Sequence, residues 1–132
     1  MLATLMDSLG IQMEQIEKGY VKATMPVDDR TRQPLGYLHG GASVALAETV
    51  ASVGAFQLID HDKEVCFGLE INANHIHSKK EGLVTAEGKI LHRGRRTQVW
   101  EIKITDEAGQ LICISRCTIA VVEKRTASQD DN

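Results

Sequence analysis

Residues 33–52 read Gln-Pro-Leu-Gly-Tyr-Leu-His-Gly-Gly-Ala-Ser-Val-Ala-Leu-Ala-Glu-Thr-Val-Ala-Ser. Pro34 and Gly36 make a turn that leads into His39-Gly40-Gly41. A long run of small and apolar residues follows, broken by one carboxylate, Glu48. The pattern predicts a helix from about residue 40 to residue 59, roughly 30 Å long. It is apolar almost all round, as in a helix enclosed by protein. Gly40 and Gly41 stand at its start, where backbone N–H groups have no partner within the helix. Such a start can hold a carbonyl oxygen that is becoming negative. Glu48 lies two turns further on, and a carboxylate among apolar side chains is costly unless it is paired or used. An oxyanion donor beside a lone acid points to acyl-transfer chemistry.

The rest of the chain reads outward from this helix. Residues 1–10 form a short helix ending at Gly10. Two strands, 11–17 and 20–26, are joined by Lys18-Gly19, a hairpin signal. Residues 28–36 are a polar loop. After a loop at 60–64, Val65, Phe67, Leu69, Ile71 and Ala73 alternate with polar or small residues, which is the period of a strand. Further strands are expected at 82–91, 97–105 and 111–122. The last is apolar on both faces and predicts a central strand covered on both sides. Residues 1–122 make one domain, and the polar residues 123–132 read as a disordered tail. A long apolar helix with an antiparallel sheet is an α+β arrangement. One sheet wrapped around one such helix leaves a face open, and a second subunit is the expected cover.

Composition limits the function. The chain has 132 residues, 42% of them apolar and only 4% aromatic, so its core relies on aliphatic side chains. A formal charge of −3 and a pI near 5.9 argue against general nucleic-acid binding. No apolar run reaches the length of a membrane span, and the N-terminus lacks the pattern of a signal peptide. The expected compartment is the cytoplasm. Cys66, Cys113 and Cys117 read as reduced core thiols. No local base or electropositive setting marks one of them as a nucleophile. Metal ligation by His39, His75, His77 and Cys66 lacks the spacing of a ligand set. Trp100, alternating with Ile102 and Ile104, reads as core.

Gln-Pro-x-Gly-x-Leu-His-Gly-Gly-Ala-Ser-x-x-Leu-Ala-Glu from residue 33, Gly68 to His75, Gly94-Arg95, Gln98 to Ile102 and Ser115-Arg116 together resemble the hotdog-fold acyl-CoA thioesterases. The likeness runs from about residue 8 to residue 122 and is greatest for the aryl-CoA branch. That branch includes 4-hydroxybenzoyl-CoA, 1,4-dihydroxy-2-naphthoyl-CoA and enterobactin-pathway proofreading thioesterases. The resemblance implies a curled antiparallel sheet around one long central helix, and dimers that pair into homotetramers with active sites between subunits. It implies no cofactor, the CoA thioester being the substrate.

The resemblance also assigns roles. Glu48 is the nucleophile or general base. Gly40 donates its N–H to the thioester carbonyl. Gln33 sits beside the carbonyl or the attacking water, and His39 assists in positioning the substrate. Ser52 follows Glu48 by one turn and so shares its face. It either bonds back to a helix carbonyl or holds water or the leaving group. Gly68, His75, Ile76, His77 and Ser78, with His92, Arg93, Gly94, Arg95, Arg96 and Thr97, are implied to line the CoA path. Basic loops suit the CoA phosphates, although solubilising charge is the plainer reading. His77 stands where relatives often carry arginine. Two other functions compete. A hotdog dehydratase or hydratase would use His39 and Glu48 to move a proton at carbon. A non-catalytic acyl-CoA sensor would keep the pocket and lose the acid.

Overall fold

The computed structural model describes residues 2–125. Its elements are α1 (Leu5–Leu9), β1 (Gln12–Glu17), β2 (Tyr20–Val27), α2 (Gly40–Phe56), β3 (Glu64–His75), β4 (Gly82–Arg93), β5 (Thr97–Thr105) and β6 (Leu111–Glu123). The six strands form one sheet in the order β1-β2-β4-β5-β6-β3, antiparallel throughout. α2 packs against every strand. A flat sheet of six strands spans roughly 24 Å, more than the width of a helix. The sheet must therefore curl around α2, which is the hotdog arrangement.

The core lies between α2 and the concave face. Leu46, Ala47, Val50, Ala51 and Ala55 of the helix are fully buried, as are Val21, Met25, Val84, Trp100, Ile102, Ile104 and Ile119 of the sheet. Gly54 lets the helix approach closely, since a Cβ there would overlap the Trp100 ring. Trp100 donates its indole N–H to Gln98 Oε1 at 2.9 Å, and Gln98 Nε2 donates to the Ala55 carbonyl at 3.4 Å. This buried chain ties the sheet to the last turn of α2 and satisfies polar atoms that burial would otherwise penalise.

The structure differs from the sequence reading in several places, α1 being only Leu5–Leu9 and β4 running on to Arg93. α2 ends at Phe56 rather than near residue 59, because the Gln57 N–H turns back to the Gly54 carbonyl. The next carbonyls are taken from outside the helix: His61 Nε2 bonds Phe56 O at 2.5 Å, and Arg93 bonds Leu58 O at 2.6 Å. β6 is not central but second from the edge, between β5 and β3. Its apolar residues are explained on one face by α2, while Arg116 points to solvent. Glu123 continues β6, and the Lys124 N–H bonds Lys63 O at 2.8 Å. Residues 126–132 of the expected tail lie outside the described residues.

The helix is also not enclosed on all sides. Within one chain, Val44, Glu48, Thr49, Ser52 and Val53 are only half-buried, and Phe56 is exposed. β3 forms one edge of the sheet and leaves Phe67 and Leu69 at 61% and 64% exposure. Among the described residues, no helix is long and apolar enough to cross a membrane.

Candidate active site

The outward face of α2 carries a cleft of about 540 Å³ in which Glu48, Thr49 and Ser52 are the polar side chains. Its apolar walls are Val44, Ala45 and Val53 of α2, with Leu5 and Met6 of α1. Positions 41, 45, 48 and 52 recur at helical spacing, so Glu48 and Ser52 share this face. The Thr49 hydroxyl donates to Ala45 O at 2.6 Å. The ion pairs of the described residues leave Glu48 without a cation. The Glu48 carboxylate lies against the backbone of Gly68, where a Cβ would overlap its Oε2. Gly68 adjoins a bulge: Gly68 pairs with Ile119 and Glu70 with Thr118, which leaves Leu69 as the extra residue. Bulges of this kind re-aim a strand next to functional groups.

A second cleft, of about 370 Å³, opens at the N-terminal end of α2 and brings together Gln33, Gly40, His75, His77 and Ser78. The His75 ring rests on Gly40, and a Cβ at position 40 would stand 2.9 Å from its Nε2. Gln33 Oε1 accepts the Leu35 N–H, so the amide presents its NH₂ as a donor. The loop is pinned by backbone bonds from Leu38 N–H to Lys79 O and from His39 N–H to Thr31 O, both 2.7 Å. Ile76 and His77 are held by the Ile112 carbonyl, and His77 Nδ1 bonds Leu111 O at 2.8 Å. Tyr37 and buried Ser43 also line this cleft. Nothing in the local pattern marks Tyr37, whereas Ser43 could have been found from its place one turn after the helix start.

His39 serves first as the cap of α2. Its Nδ1 accepts the Gly41 N–H at 2.8 Å, so a neutral ring carries its proton on Nε2. The exposed ring lies in a third cleft of about 300 Å³, beside Arg30 and Arg32, and not in the cleft of Gln33 and Gly40. Glu48 and Gly40 are also apart. Eight residues separate them on one helix, which is about 12 Å of rise. The residues implied for CoA divide in the same way. His75 to Ser78 stand at the N-terminal end of α2, and His92 to Thr97 at its C-terminal end. Arg93 is bound to the Leu58 carbonyl, the Gly94 N–H bonds Thr97 O at 2.8 Å, and the Val121 N–H bonds Arg96 O at 2.8 Å. The His92 ring packs on Gly94, while Arg95 and Arg96 are exposed.

Burial pushes the Cys66 and Cys113 thiols above their ordinary value, and raises Cys117 to about 12 with help from the charges of Glu48 and Glu70. None is poised as a nucleophile. Glu48 is the one carboxylate among the residues that line its cleft.

Residues 35–113 match the thioesterase superfamily. A protein of Listeria monocytogenes named 1,4-dihydroxy-2-naphthoyl-CoA hydrolase is 56% identical over 121 residues, which covers 92% of this chain and 98% of the relative. The chain belongs to the thioesterase superfamily. Two crystal structures of a Staphylococcus aureus protein, called a thioesterase enzyme in one of them, have the same fold. One carries a glutamate-to-alanine substitution and superposes with a TM-score of 0.90 at 49% identity, covering 92% of this chain and 100% of that one. The other carries a glutamine-to-alanine substitution and gives 0.87 at 50% identity, covering 89% and 97%. The hotdog fold expected from the sequence is thus the observed one, and this member of the superfamily is a thioester hydrolase.

Proposed function

We propose that this hydrolase cleaves an aryl-CoA thioester of the 1,4-dihydroxy-2-naphthoyl type, and that its active site is completed by a second copy of the chain. The observation that carries the mechanism is the separation of Glu48 from Gly40. A reacting carbon must lie about 3–3.5 Å from its nucleophile, and its oxygen about 3 Å from the oxyanion donor. The two positions are roughly 12 Å apart along one helix, and the Glu48 carboxylate rests on Gly68 in one cleft while Gly40 faces His75 in the other, which supports a site whose two groups come from different subunits. The proposed arrangement sets Glu48 of one subunit opposite Gly40 of another, across the bound thioester.

In this reading the Gly40 N–H and the Gln33 NH₂ donate to the thioester oxygen as negative charge builds on it. Glu48 then acts in one of two ways. It takes a proton from water as the water oxygen bonds to the carbonyl carbon, or its own oxygen forms that bond and water later cleaves the anhydride. In either course the C–S bond breaks and CoA leaves as thiolate, which takes up a proton. Ser52, on the face of Glu48, orients water or the leaving sulfur. The exposed edge of β3 supports pairing into a continuous sheet, with dimers assembling into homotetramers. Three free thiols fit a reducing, cytoplasmic setting. The Staphylococcus aureus substitutions support the roles of Gln33 and Glu48, since the two substituted positions lie as far apart in that chain as Gln33 and Glu48 do here.

The test is thiol release from benzoyl-, hydroxynaphthoyl-, short-chain and long-chain CoA thioesters, with the wild type and Glu48→Ala compared. Aryl-CoA turnover that falls at least about 100-fold in the variant is the expected result. CoA binding without turnover of any thioester rejects hydrolysis and favours a sensor.

A further inference from the structure

We propose that Leu5 of α1 sets the size of the acyl group that this enzyme accepts, a role that rests on Glu48 acting on a thioester. Leu5 lines both the cleft of Glu48 and the neighbouring cleft that ends at His39 and Arg30. Gly41 and Ala45 also line both. They are too small to divide the space, so the leucine side chain is the bulk between volumes of about 540 and 300 Å³.

The fold does not account for a large apolar residue at this position. Leu5 is 62% exposed, and α1 has no buried residue. Yet α1 is held in place. The Thr4 N–H bonds Asp7 Oδ2 at 2.8 Å, the Ile11 N–H bonds Met6 O at 2.9 Å, and Met6 and Leu9 pack on the core. Leu5 is therefore carried on a fixed support beside the clefts.

The occupant is the acyl group and not the pantetheine arm. Pantetheine brings two amides that need partners. The cleft of Glu48 offers only three polar side chains, and the Thr49 hydroxyl proton is already given to Ala45 O. An apolar acyl group beside the reacting carboxylate fits these walls.

The test compares wild type, Leu5→Ala and Leu5→Phe by kcat/KM on benzoyl-CoA and hydroxynaphthoyl-CoA, one ring against two. Leu5→Ala joins the clefts and raises the two-ring to one-ring ratio by about tenfold, and Leu5→Phe lowers it by a similar factor. Unchanged ratios in both variants overturn the proposal. Unchanged ratios with a shifted association state in sedimentation overturn it as well, and assign the groove to a second copy of the chain. Failure of the underlying hydrolytic reading appears separately, as a wild type that releases no thiol from either thioester or as turnover that survives Glu48→Ala.

Discussion

The backbone of Gly68 on β3 is the surface against which the Glu48 carboxylate rests, and a Cβ at position 68 would overlap its Oε2. The edge strand therefore fixes where the acid points. Gly68→Ala should push the carboxylate aside while leaving the fold intact, since position 68 is exposed and the displaced atoms are the end of a flexible side chain. A misplacement of about 1 Å can cost about 100-fold in rate. Thiol release should fall by that order with a thermal midpoint close to that of wild type. Wild-type kcat in Gly68→Ala would remove Gly68 from any part in aiming Glu48.

A site shared between subunits, as proposed, makes activity depend on assembly. Phe67 and Leu69 are large, apolar and exposed on the free edge of β3. Phe67→Lys places charge on that edge, which opposes strand pairing. Sedimentation at micromolar concentration should show a shift toward monomer, and thiol release should fall with it. A monomer with full activity would reject a site shared between subunits.

Gly54 is a stability determinant. Alanine is normally favoured over glycine in a helix by about 1 kcal/mol. Here the Cβ would enter the ring of Trp100, which is fully buried. Overpacking of this kind costs about 1–3 kcal/mol, so Gly54→Ala should be destabilised in urea titration despite its better propensity. A midpoint at or above that of wild type would show that the ring has room to yield.

Cys117 predicts alkaline lability. Its folded-state value is raised from the ordinary 9.0 to about 12, by burial first and then by the charges of Glu48 and Glu70. In the unfolded chain the thiol ionises near its ordinary value, so above that pH the unfolded state binds fewer protons than the fold. The contribution is fully present below pH 9.0 and is lost as the pH rises toward about 12. Urea midpoints measured across this range should fall less steeply for Cys117→Ala than for wild type. Equal slopes would show that the thiol does not contribute.

Much of the fold was legible because periodicity reports which faces meet the core. The alternation from Val65 to Ala73 marked β3, and the run after Gly41 marked α2. The end of α2 was not legible, since the apolar run continues to Ile59 while the Gln57 N–H already turns back to Gly54 O and Arg93, from β4, takes the Leu58 carbonyl just beyond the helix. The place of β6 beside an edge was hidden for a related reason. Apolar content reports cover by α2 but not the order of strands, which long-range pairing sets.

For the candidate site, the sequence by itself determined which groups are available. A helix opening with His39-Gly40-Gly41 and carrying Glu48 and Ser52 on one face follows from local spacing, because helical geometry fixes neighbours within a few turns. Only the tertiary structure decided where each group is directed. It set Gly68 behind Glu48 and His75 on Gly40, turned His39 into a cap, and sent the segments at 75–78 and 92–97 to opposite ends of α2. It also placed Leu5 on the wall of the cleft of Glu48, more than forty positions away in the chain. The physical reason is that local sequence fixes rise and rotation along an element, whereas contacts between elements follow from how the whole sheet closes around the helix.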